Sequence, residues 1–186
     1  MSSILKVDQI QTAAGGIPTA ADLGLNVSGS VLQVVQAVKT DKQTISGTAY
    51  TAISGLAPVI TPTSTSSKIL INVCIHYGEN QDAFPAFNLL RNGSGFIYGD
   101  ASGSGTQQNT FTQVQTENSI RDQYRQTQAN FMYVDSPATT SPITYSLSVS
   151  PMRTSSRTLY INRHEAMNDA NRSNTVSTII LMEIAG

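Results

Sequence analysis

Between Ile143 and Ser150, large apolar and small hydroxyl side chains alternate without a break: Ile143, Tyr145, Leu147 and Val149 against Thr144, Ser146, Ser148 and Ser150. A period of two puts successive side chains on opposite faces of an extended strand, so this segment has one dry and one wet face. The same period recurs from about Ser30 onward, in Val31–Lys39, Tyr50–Ile53, Val59–Thr61, Lys68–Tyr77, Ala86–Arg91, Phe96–Tyr98, Ala129–Val134, Arg157–Asn162 and Thr175–Ile184. Helical periodicity is almost absent. About ten strands follow, punctuated by Gly, Pro, Ser and Asn clusters, and the chain lacks the long helical crossovers that a parallel sheet needs. The expected fold is all-β: an antiparallel, jelly-roll-like β-sandwich head over residues 31–186, preceded by an extended N-terminal segment, residues 1–30.

Two strands break the dry and wet alternation. Val73 and Ile75 are joined by Leu70 and Cys74 on the opposite face, and Ile180, Met182 and Ile184 by Ile179 and Leu181. Strands apolar on both faces are covered on both sides, whereas the outer face of a lone sandwich is wet. The economical cover is a neighbouring subunit, so self-association enters from the residues themselves, without fixing the number of subunits. Asn92-Gly93, between Leu89-Leu90-Arg91 and Phe96-Ile97-Tyr98, predicts a tight hairpin because both residues readily supply positive φ. Prolines 58, 62, 137, 142 and 151 sit near strand ends, where a missing N–H is tolerated.

Only 12% of the residues are charged, against about 25% in ordinary soluble domains. Eleven basic and twelve acidic residues give a net charge of -1, with no Lys/Arg run to track a phosphate backbone, so nucleic acid is a poor partner. No apolar run approaches the ~20 residues of a membrane helix, and Ser2-Ser3 does not open a signal peptide. The single cysteine, Cys74, lies within Ile69–Ile75 and reads as a small core residue, not as a nucleophile or ligand. Durability must then come from packing and assembly rather than disulfides.

Catalytic and metal chemistry find little to build on. The histidines are His76 and His164, too few with one cysteine for a transition-metal site, and His164-Glu165 has no second histidine four residues on. His164 and Asp169 lack a Gly-x-Ser-x-Gly partner, since Gly93-Ser94-Gly95 and Gly103-Ser104-Gly105 read as turn glycines. Glu79, Asp82, Asp100 and Glu117 could in principle supply a glycosidase pair, but no spacing brings two of them together. A non-enzymatic chain without a cofactor is expected.

Two other segments stand apart. Residues 1–30 carry Ile4, Leu5, Val7, Ile10 and Leu23, with Pro18 able to open one helical turn, and have too little apolar mass for a core. They read as a segment ordered against partner chains or a docking platform. Residues 100–128 are long and polar, with Phe111, Val114, Ile120 and Tyr124 as their only large apolar side chains. Within and beside them Phe111, Arg121, Asp122, Tyr124 and Arg125 are candidates for contact with a surface glycan or protein, because aromatic rings and planar groups bind sugars.

The stretches Ile4-Leu5-Lys6-Val7-Asp8-Gln9-Ile10-Gln11 through Pro18–Gly24, Ser155–Arg163 and Ser177–Ile184 resemble the ends of fibre or appendage proteins of tailed phages, particularly those infecting cyanobacteria. The resemblance covers both ends, and the middle, about residues 79–128, lies outside it. It implies a virion protein, assembled in the host cytoplasm, whose N-terminal part docks on another virion protein while a β-rich head, often trimeric, points outward toward host-surface glycan or protein. At 186 residues and without a repetitive shaft, a short spike, head or neck fibre fits better than a long tail fibre. Two alternatives stand beside it: a capsid cement or neck protein with a purely structural role, and an envelope polysaccharide-degrading spike whose carboxylates converge between subunits.

Overall fold

The computed structural model describes residues 10–11, 14–18, 23, 28–80, 83–99, 110–114, 125–152, 157–166 and 173–186. Among these residues there is no helix, and twelve strands are arranged in two six-stranded antiparallel sheets. The strands are β1 Val31–Lys39, β2 Gln43–Ser46, β3 Thr51–Ala52, β4 Val59–Ile60, β5 Lys68–Glu79, β6 Ala86–Arg91, β7 Ser94–Gly95, β8 Thr112–Gln113, β9 Thr127–Asp135, β10 Ile143–Ser150, β11 Thr158–Ile161 and β12 Ser177–Ile184.

Several of these strands are halves of one position. β12 pairs residues 68–74 of β5 and β11 pairs residues 77–79 along the same edge, while β1 and β2 flank β12 and β11 in turn. β3 with β4 along β10, and β7 with β8 along β6, are divided in the same way. Each sheet therefore has four strand positions. Numbered along the chain, these run 1-8-3-6 in the first sheet and 2-7-4-5 in the second, which is the connectivity of a jelly roll.

The expected alternation sets what lies between the sheets. Ile69, Ile71, Val73, Ile75 and Tyr77 of β5 face Ile143, Tyr145, Leu147 and Val149 of β10 within one buried cluster. Removing such side chains from water at about 25 cal/mol per Å² is the main favourable contribution to the fold. A run of aromatic contacts fills the side where β9 meets β6: Tyr77 on Phe87, Phe87 on Phe131, Phe131 on Phe111, Phe111 on Tyr133, Tyr133 on Phe96, and Phe96 on Tyr145. Its polar end is satisfied, because the Tyr145 hydroxyl and Arg91 Nη1 both donate to Asp135. Burial, then the hydrogen bond to Asp135, pushes the Tyr145 phenol well above its ordinary value.

Asn92 and Gly93 both have positive φ and close the two-residue hairpin between β6 and β7, as predicted. The pairing stops at Gly95, however, and Phe96–Tyr98 are not strand. Phe96 instead packs on Tyr133 and Tyr145, and the Tyr98 ring lies over Gly95, where a Cβ would meet its hydroxyl oxygen. Gln43–Ser46 forms a strand that alternation over so short a polar run did not reveal. The expected helical turn after Pro18 falls on residues 19–22, outside the described residues.

Asn162 joins the interrupted positions. Fully buried at φ 61°, it donates its backbone N–H to His76 O at 2.8 Å and accepts Thr175 N–H at 3.0 Å. Its side-chain Nδ2 donates to Lys39 O at 2.8 Å and Asp41 O at 3.0 Å, while Oδ1 accepts the Ser177 hydroxyl at 2.6 Å. One side chain thus ties the β1–β2 joint to the β11–β12 joint beside β5. Asn162→Ala strips the buried Lys39 carbonyl, the partly buried Asp41 carbonyl and the Ser177 hydroxyl of a partner, and is expected to cost about 3 kcal/mol. Denaturant unfolding at fixed protein concentration checks it: the midpoint falls while the slope stays that of the parent.

Candidate functional site

The outer faces of the two sheets differ in chemistry. On the second sheet the outward side chains of β10 are Thr144, Ser146, Ser148 and Ser150, small hydroxyls of which the first two are half-buried and the last two buried. On the first sheet, three outward rows cross β1, β12, β5 and β9 in register. They are Val34–Met182–Leu70–Val134, Gln36–Ile180–Asn72–Met132 and Val38–Thr178–Cys74–Asn130. The first row is wholly apolar. Val34, Val38, Met132 and Val134 are 48% to 64% exposed, and Val31 beside Ile184 extends the patch. Contiguous exposed apolar surface of this kind marks an interaction site in a soluble protein.

These three rows contain no charged side chain. Their polar members are amides and one hydroxyl, which can both donate and accept. A shallow depression of about 440 Å³ opens between β5 and β9, lined by Asn72, Asn130, Met132 and the flanks of Val73 and Phe131.

Cys74 belongs to this face and not to the core, which corrects the sequence expectation. With a period of two, Cys74 points with Leu70, Asn72 and His76, opposite to Val73 and Ile75. Its Sγ accepts a hydrogen bond from Gln128 Nε2 at 2.9 Å and lies 3.9 Å from His76 Nδ1. The His76 ring is turned away by Val176, whose carbonyl accepts from Nδ1 at 2.8 Å. Among the described residues no three His, Cys, Asp or Glu side chains converge as a metal site would require.

Toward the far end of β5 the face closes over. A Cβ at Gly78 would lie 2.6 Å from Arg163 O and His164 Cα, so residues 163–164 run directly across that strand. Arg163 stays there by donating to Thr44 Oγ1 and to the His164 carbonyl, with its guanidinium 4.1 Å from the centre of the Tyr160 ring. The open apolar surface therefore spans the part of the sheet from Lys68 to His76.

The two ends of the sandwich are also unlike. At the Lys68 end, connections 61–67, 92–93 and 136–142 are compact, and residues Gly29 and Ser30 enter β1 by exchanging backbone hydrogen bonds with Ala185. At the Glu79 end lie connections 47–50, 80–85, 114–126 and 151–157, of which only 114–126, between β8 and β9, is longer than those at the Lys68 end. β5, at 12 residues, separates these ends by about 40 Å.

The compact end is tied by Glu183. Its buried carboxylate accepts from Thr63 N–H, Thr63 Oγ1 and Ser67 Oγ, each at 2.7 Å, and from Gln33 Nε2 at 2.6 Å. Burial acts to raise its pKa, but the hydrogen bonds from Gln33, Ser67 and Thr63 outweigh it, and the group sits below its ordinary 4.5.

Of the residues proposed for surface contact, Phe111 packs on Phe131 and Tyr133, and Arg125 Nη2 bonds Glu79 Oε1 at 2.6 Å. Arg121, Asp122 and Tyr124 lie outside the described residues, as do Ile4, Leu5 and Val7 of the docking set, while Ile10 and Leu23 are exposed. Asp82, Asp100, Glu117 and Asp169 also fall outside the described residues, and buried Glu79 pairs with Arg125. The apolar face was half visible in the sequence, through Leu70, Cys74, Ile180, Met182 and Ile184. β1 and β9, which complete it, were not singled out, because Val34 and Met132 join it only through the register. No protein-family model matches the chain, and no curated protein matches it.

The Glu183 network has a pH signature. Because the folded carboxyl titrates below its unfolded value, its contribution is complete above that value and disappears as pH falls through the depressed pKa. Glu183→Gln is expected to cost about 2 kcal/mol at neutral pH and progressively less on acidification below pH 4.5. Unfolding midpoints of the two proteins across an acid series provide the check; parallel curves would remove Glu183 as the source.

Proposed function

We propose that this chain is a non-enzymatic structural protein of a tailed-phage virion: a short homotrimeric fibre or spike on tail, neck or head that contributes to host-surface attachment. Residues 1–30 dock on another virion protein, and the jelly-roll head projects outward. Two lines support this reading. The sequence ends resemble phage appendage proteins, and the fold is polar along its length. The observation that carries it is this polarity: the N-terminal segment joins the sandwich at the Lys68 end, while connection 114–126, between β8 and β9, leaves it about 40 Å away. An appendage must attach at one end and present variable surface at the other.

Particles lacking the protein test both halves. Electron microscopy should show the loss of a discrete appendage, and adsorption to host cells should fall. Loss of particle stability with adsorption unchanged would move the assignment to a cement or neck protein. Unchanged particles with unchanged adsorption would remove the virion assignment.

A further inference from the structure

We infer that the outer face of the first sheet is the subunit interface, buried in the assembled protein against further copies of this same chain. The inference takes its self-association from the proposed trimeric appendage and assigns that association a surface. Its chemistry selects the occupant. Lys68, at the Ile184 edge, is the one outward Lys, Arg, Asp or Glu among the described strand residues of this face, so away from that edge two copies meet without like-charge repulsion, and a charged partner finds little complement. The polar groups that remain include Gln36, Asn72 and Asn130, amides that carry donors and acceptors in equal measure and can satisfy one another across a symmetric contact.

Size agrees with this occupant. Four strand positions at about 4.8 Å and eight residue steps at about 3.3 Å give roughly 500 Å² in plan before side-chain relief. That is the same order as the roughly 800 Å² per partner of a stable interface. The surrounding structure limits the contact to this area: residues 163–164 cover the sheet over Gly78, and on the opposite sheet β10 has no exposed side chain, Thr144 and Ser146 being half-buried and Ser148 and Ser150 buried. The lone thiol lies within the face, since Cys74 shares a row with Val38 and Asn130. Assembly therefore shields Cys74, which makes it a built-in reporter.

The full chain is examined by size-exclusion chromatography with light scattering, alongside Val34→Glu and Met132→Glu, both at exposed positions that tolerate a charge in the monomer. The parent is expected at a multiple of 19.8 kDa, and the two charged variants at one copy with unchanged far-UV circular dichroism. Val59→Glu, at an equally exposed valine on the second sheet, should keep the assembly. Cys74 should react with a bulky maleimide at least about ten-fold faster in the monomeric variants than in the parent.

A parent that stays monomeric at high micromolar concentration with a freely reactive Cys74 overturns the inference, as does an assembly that Val34→Glu and Met132→Glu leave intact. If neither variant folds, dilution of the parent decides. A labelling rate that rises as the assembly dissociates supports the interface, and one equal in both states overturns it. A stable dimer supports the face and removes the threefold part of the proposed function. Absence from particles removes the virion reading and leaves the interface standing.

Discussion

The fold depends on one buried amide. Four of the eight jelly-roll positions are interrupted, and two of them, β1–β2 and β11–β12, lie side by side in the sheet that carries the apolar outer face. Interrupted strands expose unpaired backbone groups inside the protein, where each costs about 1–3 kcal/mol. Asn162 offsets that cost, its side chain bonding Lys39 O and Asp41 O at one break and its backbone pairing with His76 O and Thr175 N–H at the other, where its Oδ1 also accepts the Ser177 hydroxyl. Ser177 in turn accepts the His76 N–H, so the contact extends into β5. The left-handed backbone at Asn162 suits asparagine, which tolerates that region better than most residues.

That joint has consequences beyond its surroundings. Because β11 and β12 stay collinear, the register from Ser177 to Ile184 continues across β1, β5 and β9, and side chains from four strands fall into common rows. A slip of one residue would turn Met182 and Ile180 inward and Leu181 outward. The apolar face is thus a product of register, and register is held at one end by Asn162 and at the other by the Glu183 network. Lys39 adds a third tie: buried itself, it donates to Asp41 and Ser54, and its ammonium holds the exposed Asp41 carboxyl below the usual range.

The alternating residues made the sandwich legible. Ile143, Tyr145, Leu147 and Val149 are buried as their spacing requires, Asn92-Gly93 turns where positive φ was expected, and Val31–Lys39 and Ala86–Arg91 begin and end at the anticipated residues. Gln43–Ser46 and Thr112–Gln113 escaped because short polar strands are defined by their partners and not by their own pattern. Parity places Cys74 on the side of Leu70, and yet it reads as core, for a different reason. Its neighbours Val73 and Ile75 are core residues, and only strict parity separates it from them.

Period-two hydrophobicity, by itself, determined an all-β chain with β5 and β12 apolar on both faces, because side-chain direction along a strand is a local property. Tertiary structure alone decided that four strands share one open apolar surface, that residues 163–164 close its far end, and that the N-terminal segment and the β8–β9 connection lie at opposite ends. Those features rest on pairing between residues up to 153 positions apart, such as Val31 with Ile184. No local pattern encodes a partner at that distance; it is chosen by the packing that the whole chain can satisfy at once.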